Sequence, residues 1–275
     1  MKAMIKRMLL ATDGSAPAKS AEALARFLAR RLSAELVALF VKDVRLVRFP
    51  ELLDFGAISV PLPTYHEAID EALEARGKAV IERLSREAGG LRFEGAIRTG
   101  VPYEVIAKEA RAFDLVAIGR AGEQAGHQAT GLGSTVERVA RTSPVPVLVA
   151  ALDFVEPERL VVGYDGSDSA ARALHFAADL LEGIVLETLV ASVDEDLDRA
   201  ALLAAEGVEY LRAHGARAHA QPLSGDPAQE LVQLAEPSDL LVMGAFGRGR
   251  VFELLLGSTT EYVLRRAACP VALVR

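Results

Sequence analysis

The chain is written twice. Residues 8–15 read MLLATDGS and residues 160–167 read LVVGYDGS. DLVAIG at 114–119 returns as DLLVMG at 239–244, GSTVERV at 133–139 as GSTTEYV at 257–263, and VPVLVA at 145–150 as CPVALV at 269–274, always in the same order. Repetition at this spacing is the duplication of a whole domain, not of a short solenoid unit. It constrains the fold strongly, because each half must use its strands and turns as the other does. The boundary falls near 152–158, a charged stretch containing Pro157, which gives one domain over 1–152 and a second over 158–275.

Within each half, strand and helix patterns alternate. Short apolar runs predict strands at 8–11, 35–41, 93–99, 115–118 and 145–149, then at 160–163, 185–192, 217–222, 240–243 and 271–274. Apolar residues at helical spacing predict helices over 18–32, 65–88, 103–112 and 135–141, then over 169–180, 198–214, 227–234 and 259–266. Such alternation implies an α/β fold, two tandem five-stranded parallel sheets with helices on both faces. The DGS turns lie 152 positions apart but Gly119 and Gly244 only 125, so the first half is 27 residues longer. Most of the excess falls in an insertion at 43–63. That segment reads as a long loop packed on its own domain or, more sharply, as a lid or an assembly surface.

Composition narrows the function. Net charge is −7, which argues against a nucleic-acid or anionic-membrane partner. Cys269, the single cysteine, excludes an intrachain disulfide and reads as a small core residue. The N-terminal apolar run is too short for a signal peptide, and no window is long enough to span a bilayer, so a soluble cytoplasmic protein is expected. There is no P-loop lysine motif, and the five histidines show no metal-ligand spacing. No general base or transition-state clamp for fast phosphoryl transfer is legible.

The residues that carry chemistry lie after the fourth strand of each half. Gly244, Gly247, Gly249 and Gly257 follow an apolar run, and Ser258 opens an amphipathic helix. Glycines let backbone amides approach a phosphate, and a helix N-terminus favours negative charge. The spacing Gly244-x2-Gly247-x9-Gly257-Ser258 resembles the ATP-binding signature of the universal stress protein family. Asp165 at the end of the half's first strand fits the same pattern, and the resemblance covers the chain twice. The first half reads Gly119-x2-Gly122-x10-Gly133-Ser134, one residue longer. It has Glu123 near the expected phosphate, Gly126 and His127 as partial compensation, and no counterpart of Arg248-Gly-Arg250. The second half is therefore the better candidate.

The resemblance implies a doubly wound, Rossmann-like fold of the adenine nucleotide alpha hydrolase type, with strand order 3-2-1-4-5 and the ligand at the switch point. It implies ATP and Mg²⁺ as ligands and fifth strands that pair across a pseudo-two-fold axis, one chain mimicking a dimer; a further homodimer is plausible. Carried onto this sequence, the first-half site comprises Ala11, Thr12, Asp13, Val41, Gly119, Arg120, Gly122, Gly133, Ser134 and Thr135. The second comprises Gly163, Tyr164, Asp165, Val193, Met243, Gly244, Ala245, Gly247, Arg248, Gly257, Ser258 and Thr259, with Ala191 an alternative to Val193 as the wall for the base. Asp13 and Asp165 suit Mg²⁺ contact through water, or an Asx turn. Ser134 and Ser258, each three residues before a glutamate, also suit a capping box. Three functions compete: a nucleotide-binding stress or regulatory protein with slow hydrolysis at most, a weak Mg-dependent ATPase or phosphotransferase, and a scaffold that binds no nucleotide.

Overall fold

The structure, a computed structural model, describes residues 5–47, 63–122, 132–245 and 257–275. Most of the expected insertion, 48–62, lies outside them. The first half runs β1 (Arg7–Ala11), α1 (Ala18–Leu32), β2 (Glu35–Asp43), the single turn α2 (Val44–Val47), α3 (Pro63–Ala88), β3 (Phe93–Gly100), α4 (Pro102–Glu109), β4 (Leu115–Ile118), α5 (Ser134–Thr142) and β5 (Val147–Val149). The second runs β6 (Arg159–Gly163), α6 (Asp168–Leu181), β7 (Glu187–Val193), α7 (Leu197–Ala213), β8 (Arg217–Leu223), α8 (Pro227–Leu234), β9 (Asp239–Gly244), α9 (Ser258–Arg266) and β10 (Val271–Val274).

Among the described residues ten strands form one continuous sheet in the order β3-β2-β1-β4-β5-β10-β9-β6-β7-β8. Each half is parallel internally, with the reversal of winding between β1 and β4 and again between β6 and β9. The halves meet where β10 pairs antiparallel with β5, Val271 opposite Val149, Ala272 opposite Leu148 and Leu273 opposite Val147. That is the expected meeting of fifth strands, and it pairs two edges that would otherwise present unsatisfied backbone groups. Side chains alternate across the sheet. Leu148 and Ala272 therefore enter a core layer with Leu24, Leu28, Leu174 and Leu211. Val147, Val149, Val271 and Leu273 enter the opposite layer with Val136, Leu231 and Leu264. Both layers draw residues from both halves.

Local chemistry explains the punctuation. Gly14 and Gly166, in the two DGS turns, have φ of +70° and +73°, the left-handed region that glycine tolerates. Asp196 and Asp226 cap α7 and α8 by accepting from backbone amides of the first turn. The expected capping boxes do not form. The N-caps of α5 and α9 are Gly133 and Gly257, with Ser134 and Ser258 one position inside. Glu137 and Glu261 turn instead to Arg141 and Arg265, one helical turn on.

Leu148 is 1% exposed at the junction of the halves. Leu148→Ala is expected to destabilise the chain by about 2–5 kcal/mol, the usual cost of such a cavity. A lower denaturant midpoint with an unchanged m-value would report it. An unchanged midpoint would show that the junction contributes little.

Candidate functional site

In the first half the reversal of winding opens a crevice of about 580 Å³. That volume lies within the range usual for small-molecule sites. Ala11, Thr12 and Asp13 line it from the end of β1, and Leu39 and Val41 from β2. Ile118, Gly119, Ala121 and Gly122 line it from the end of β4. Gly133, Ser134, Thr135 and Val136 line it from the start of α5, and Ile106 from α4. One wall is thus aliphatic. The rest of the lining includes the Asp13 carboxylate, small residues and a helix N-terminus, whose first amides have no partner within the helix.

The two segments that converge are held by specific bonds. Asp13 Oδ1 accepts from the Ser15 amide at 3.0 Å, the Asx turn that the sequence allows. Its Oδ2 lies 3.0 Å from where a Cβ on Gly122 would stand, so strand-one carboxylate and strand-four glycine share one cleft. The Thr12 hydroxyl donates to Glu22 Oε1 at 2.7 Å; Glu22 is buried and accepts from the Arg83 guanidinium as well. Gly133 donates its amide to the Arg120 carbonyl at 3.0 Å, closing the glycine loop at its base.

Several expected site residues have structural duties. A Cβ at Gly119 would stand 3.1 Å from the Pro17 carbonyl oxygen, and one at Gly244 2.8 Å from the Ser169 carbonyl carbon. Both glycines admit close contact between strand and helix, α1 in one half and α6 in the other. Arg120 does not point into the crevice. Its buried guanidinium donates to the carbonyls of Ala267 at 2.7 Å and Cys269 at 3.4 Å, in the other half. Desolvation holds that guanidinium below its usual range. Cys269 is fully buried beside it, and burial pushes its thiol up to about 12. Ala245 is equally committed: its amide donates to the Val274 carbonyl and its carbonyl accepts from Thr260 Oγ1.

The second half repeats the frame of strand end, turn and helix start. Asp165 Oδ1 accepts from the Ser167 amide at 2.9 Å, as Asp13 does from Ser15. Gly163, Met243 and Gly244 end the adjoining strands β6 and β9, and Gly257, Ser258 and Thr259 begin α9. Gly247 and Arg248 lie outside the described residues, as do Glu123, Gly126 and His127 of the first loop. Strand register decides which second-half residue matches Val41. Ala11 pairs with Leu39, and Gly163, its equivalent, pairs with Ala191. Ala191 therefore corresponds to Leu39, and Val193 to Val41. Tyr164 is buried and donates its hydroxyl to Glu206 at 2.6 Å. Sequence reasoning missed Leu39 and Ile106 as liners, although their strand and helix were assigned. It also missed Arg265, a second-half residue that lines the first-half crevice; only the predicted pairing of the fifth strands pointed to it.

Fold and site together define a tandem, Rossmann-like α/β protein with a ligand-sized crevice at a topological switch point. The model of the Universal stress protein family matches residues 4–151 and again 157–275, so the chain belongs to that family. A universal stress protein of Synechocystis sp. is 28% identical over 98% of this chain and 100% of its own length. One from Thermus aquaticus is 35% identical, its length matching 42% of this chain and 97% of itself. Among solved structures, a universal stress protein from Archaeoglobus fulgidus superposes with a TM-score of 0.72 at 27% identity, over 99% of both chains. No helix among the described residues is long and apolar enough to cross a membrane.

Burial, and then the bond to Glu206, raise the Tyr164 phenol from 10.0 to about 12. Because the folded value is the higher one, the stability tied to that proton is fully present below pH 10 and is lost as pH rises through about 12. Burial also raises the Tyr210 phenol, so ultraviolet titration is expected to show more than one late-ionising tyrosine, of which Tyr164→Phe removes the component near pH 12. Ionisation of all tyrosines near pH 10 in folded protein would contradict it.

Proposed function

We propose that this protein binds ATP, with Mg²⁺, and that occupancy rather than turnover is its output. The observation that carries the reading is the first-half crevice, whose lining joins aliphatic side chains of β2 and α4 to a carboxylate, small residues and a helix start. Leu39, Val41 and Ile106 take the adenine. Gly122 brings backbone to the polyphosphate, the amides at the start of α5 face it, and Ser134 and Thr135 supply hydroxyls. Asp13 stands where a phosphate-bound Mg²⁺ would be met through water, and the metal would offset charge on the phosphates. In the second half, Asp165, Val193, Gly244, Gly257, Ser258 and Thr259 stand in the same relation, with Gly247 and Arg248 completing the motif. Nucleotide binding in a family named for stress fits a regulatory role in which ATP stabilises the chain or alters a partner surface.

Titration calorimetry and thermal melting test this directly. Gly122→Val drives a side chain towards Asp13 Oδ2 and is expected to abolish first-site binding. Wild-type protein should melt higher in ATP, by up to about 2.7 kcal/mol of stabilisation at a hundredfold excess over Kd. Folded wild-type protein that gives neither heat nor a melting shift would reject the proposal in favour of a scaffold. Steady phosphate release abolished by Asp13→Ala would instead favour a weak ATPase.

A further inference from the structure

The first-half crevice contains a residue from the other half. Arg265, near the C-terminal end of α9, lines it; the remaining liners among the described residues belong to the first half. The topology explains why. Because β5 and β10 are antiparallel, the helices that precede them also run in opposite directions on one face of the sheet. The end of α9 therefore lies beside the beginning of α5, where Gly133, Ser134 and Thr135 line the crevice.

Two contacts hold Arg265 in place. Arg120, between the first-half glycines, sends its guanidinium across the junction to the carbonyls of Ala267 and Cys269, fixing the turn that follows Arg265. Glu261 accepts from Arg265 Nε at 3.0 Å and pairs with its Nη2 at 2.9 Å. These bonds engage one edge of a side chain that carries five N–H donors in a fixed fork. Among the described residues, the other arginines that line the crevice come from the β2 side: Arg45 follows β2 and is paired with Asp43, and Arg76 belongs to α3, packed on β2 and β3.

We infer that the second half completes the first-half site: Arg265 is the cation for the terminal phosphates of a nucleoside triphosphate. The inference rests on the proposed reading of the crevice as a nucleotide site. It supplies what the first glycine loop lacks, a counterpart of Arg248-Gly-Arg250. Arginine pairs well with phosphate because its fork matches two oxygens. A monophosphate has no oxygens at that end, so the arginine selects for chain length. The site then exists in this form only when the two halves are docked.

The test is titration of the full chain with ATP and with AMP, magnesium present, for wild type, Arg265→Ala, Arg265→Lys and Gly122→Val. Gly122→Val identifies the first-site heat. Arg265→Ala is expected to weaken that ATP site about tenfold or more, the loss of a charge-assisted hydrogen bond. AMP binding should change by less than about twofold, and lysine should restore part of the loss. Arg265 is exposed, so the ligand-free melting temperature should not move. If Arg265→Ala binds ATP as wild type does at a site that Gly122→Val removes, the inference fails while the reading of the crevice stands. Equal weakening of ATP and AMP also overturns it. If Gly122→Val leaves ATP binding untouched, or wild type binds no ATP, the reading fails and the inference with it.

Discussion

The structure depends on a short antiparallel ladder, Val147–Val149 against Val271–Leu273. An α/β domain that ended at its fifth strand would expose an apolar edge able to pair with another chain. Duplication lets the chain satisfy that edge internally. The ladder merges two sheets into one, and because side chains alternate along each strand it merges the cores above and below as well. It also reverses the direction of the second half relative to the first. The end of α9 therefore lies beside the start of α5, which is how Arg265 reaches a crevice whose other described liners lie 129 positions or more earlier in the chain.

The duplicated frame has diverged where side chains leave the strand ends. Thr12 and Tyr164 occupy equivalent positions after β1 and β6. Thr12 bonds to a glutamate on the next helix, whereas Tyr164 reaches Glu206 on α7. Arg120 and Ala245 follow the equivalent glycines. One spans the junction as a buried cation held by carbonyls, while the other fills a small space with both backbone groups bonded. A buried guanidinium requires several acceptors to offset lost hydration. The carbonyls of Ala267 and Cys269 both accept from Nη2, while the buried Nε makes no hydrogen bond among the described residues, so the junction is polar at this point and only partly compensated.

Much of the architecture was legible because the relevant signals are local. The run Leu115–Ile118, the run Val271–Val274 and the helix Pro227–Leu234 begin and end where their apolar pattern does. Other boundaries shifted by a residue or two where ladder bonds extend past the apolar residues, as at Lys42–Asp43 on β2. The capping boxes were misread for a specific reason. Serine followed three residues later by glutamate is consistent with a cap, but the preceding glycine takes the extended cap conformation, and the glutamates find arginines on their own helices. Gly119 and Gly244 were read as making room for a ligand. Their room is taken by the helices that follow β1 and β6, a contact that only folding brings about.

By itself the sequence determined that there are two copies of one α/β unit, that each joins a DGS turn to a glycine loop and a helix start, and that the family is the universal stress proteins. The first two follow from periodicity, spacing and repetition along the chain; the family follows from the resemblance of its glycine spacing and DGS turns to a known signature, which the match of the family model bears out. Tertiary structure decided the rest: that Val193 rather than Ala191 matches Val41, that Arg120 turns away from the crevice, and that Arg265 turns towards it. Each of those depends on which residues far apart in sequence become neighbours, and strand register and the direction of the junction set that only once the sheet is assembled.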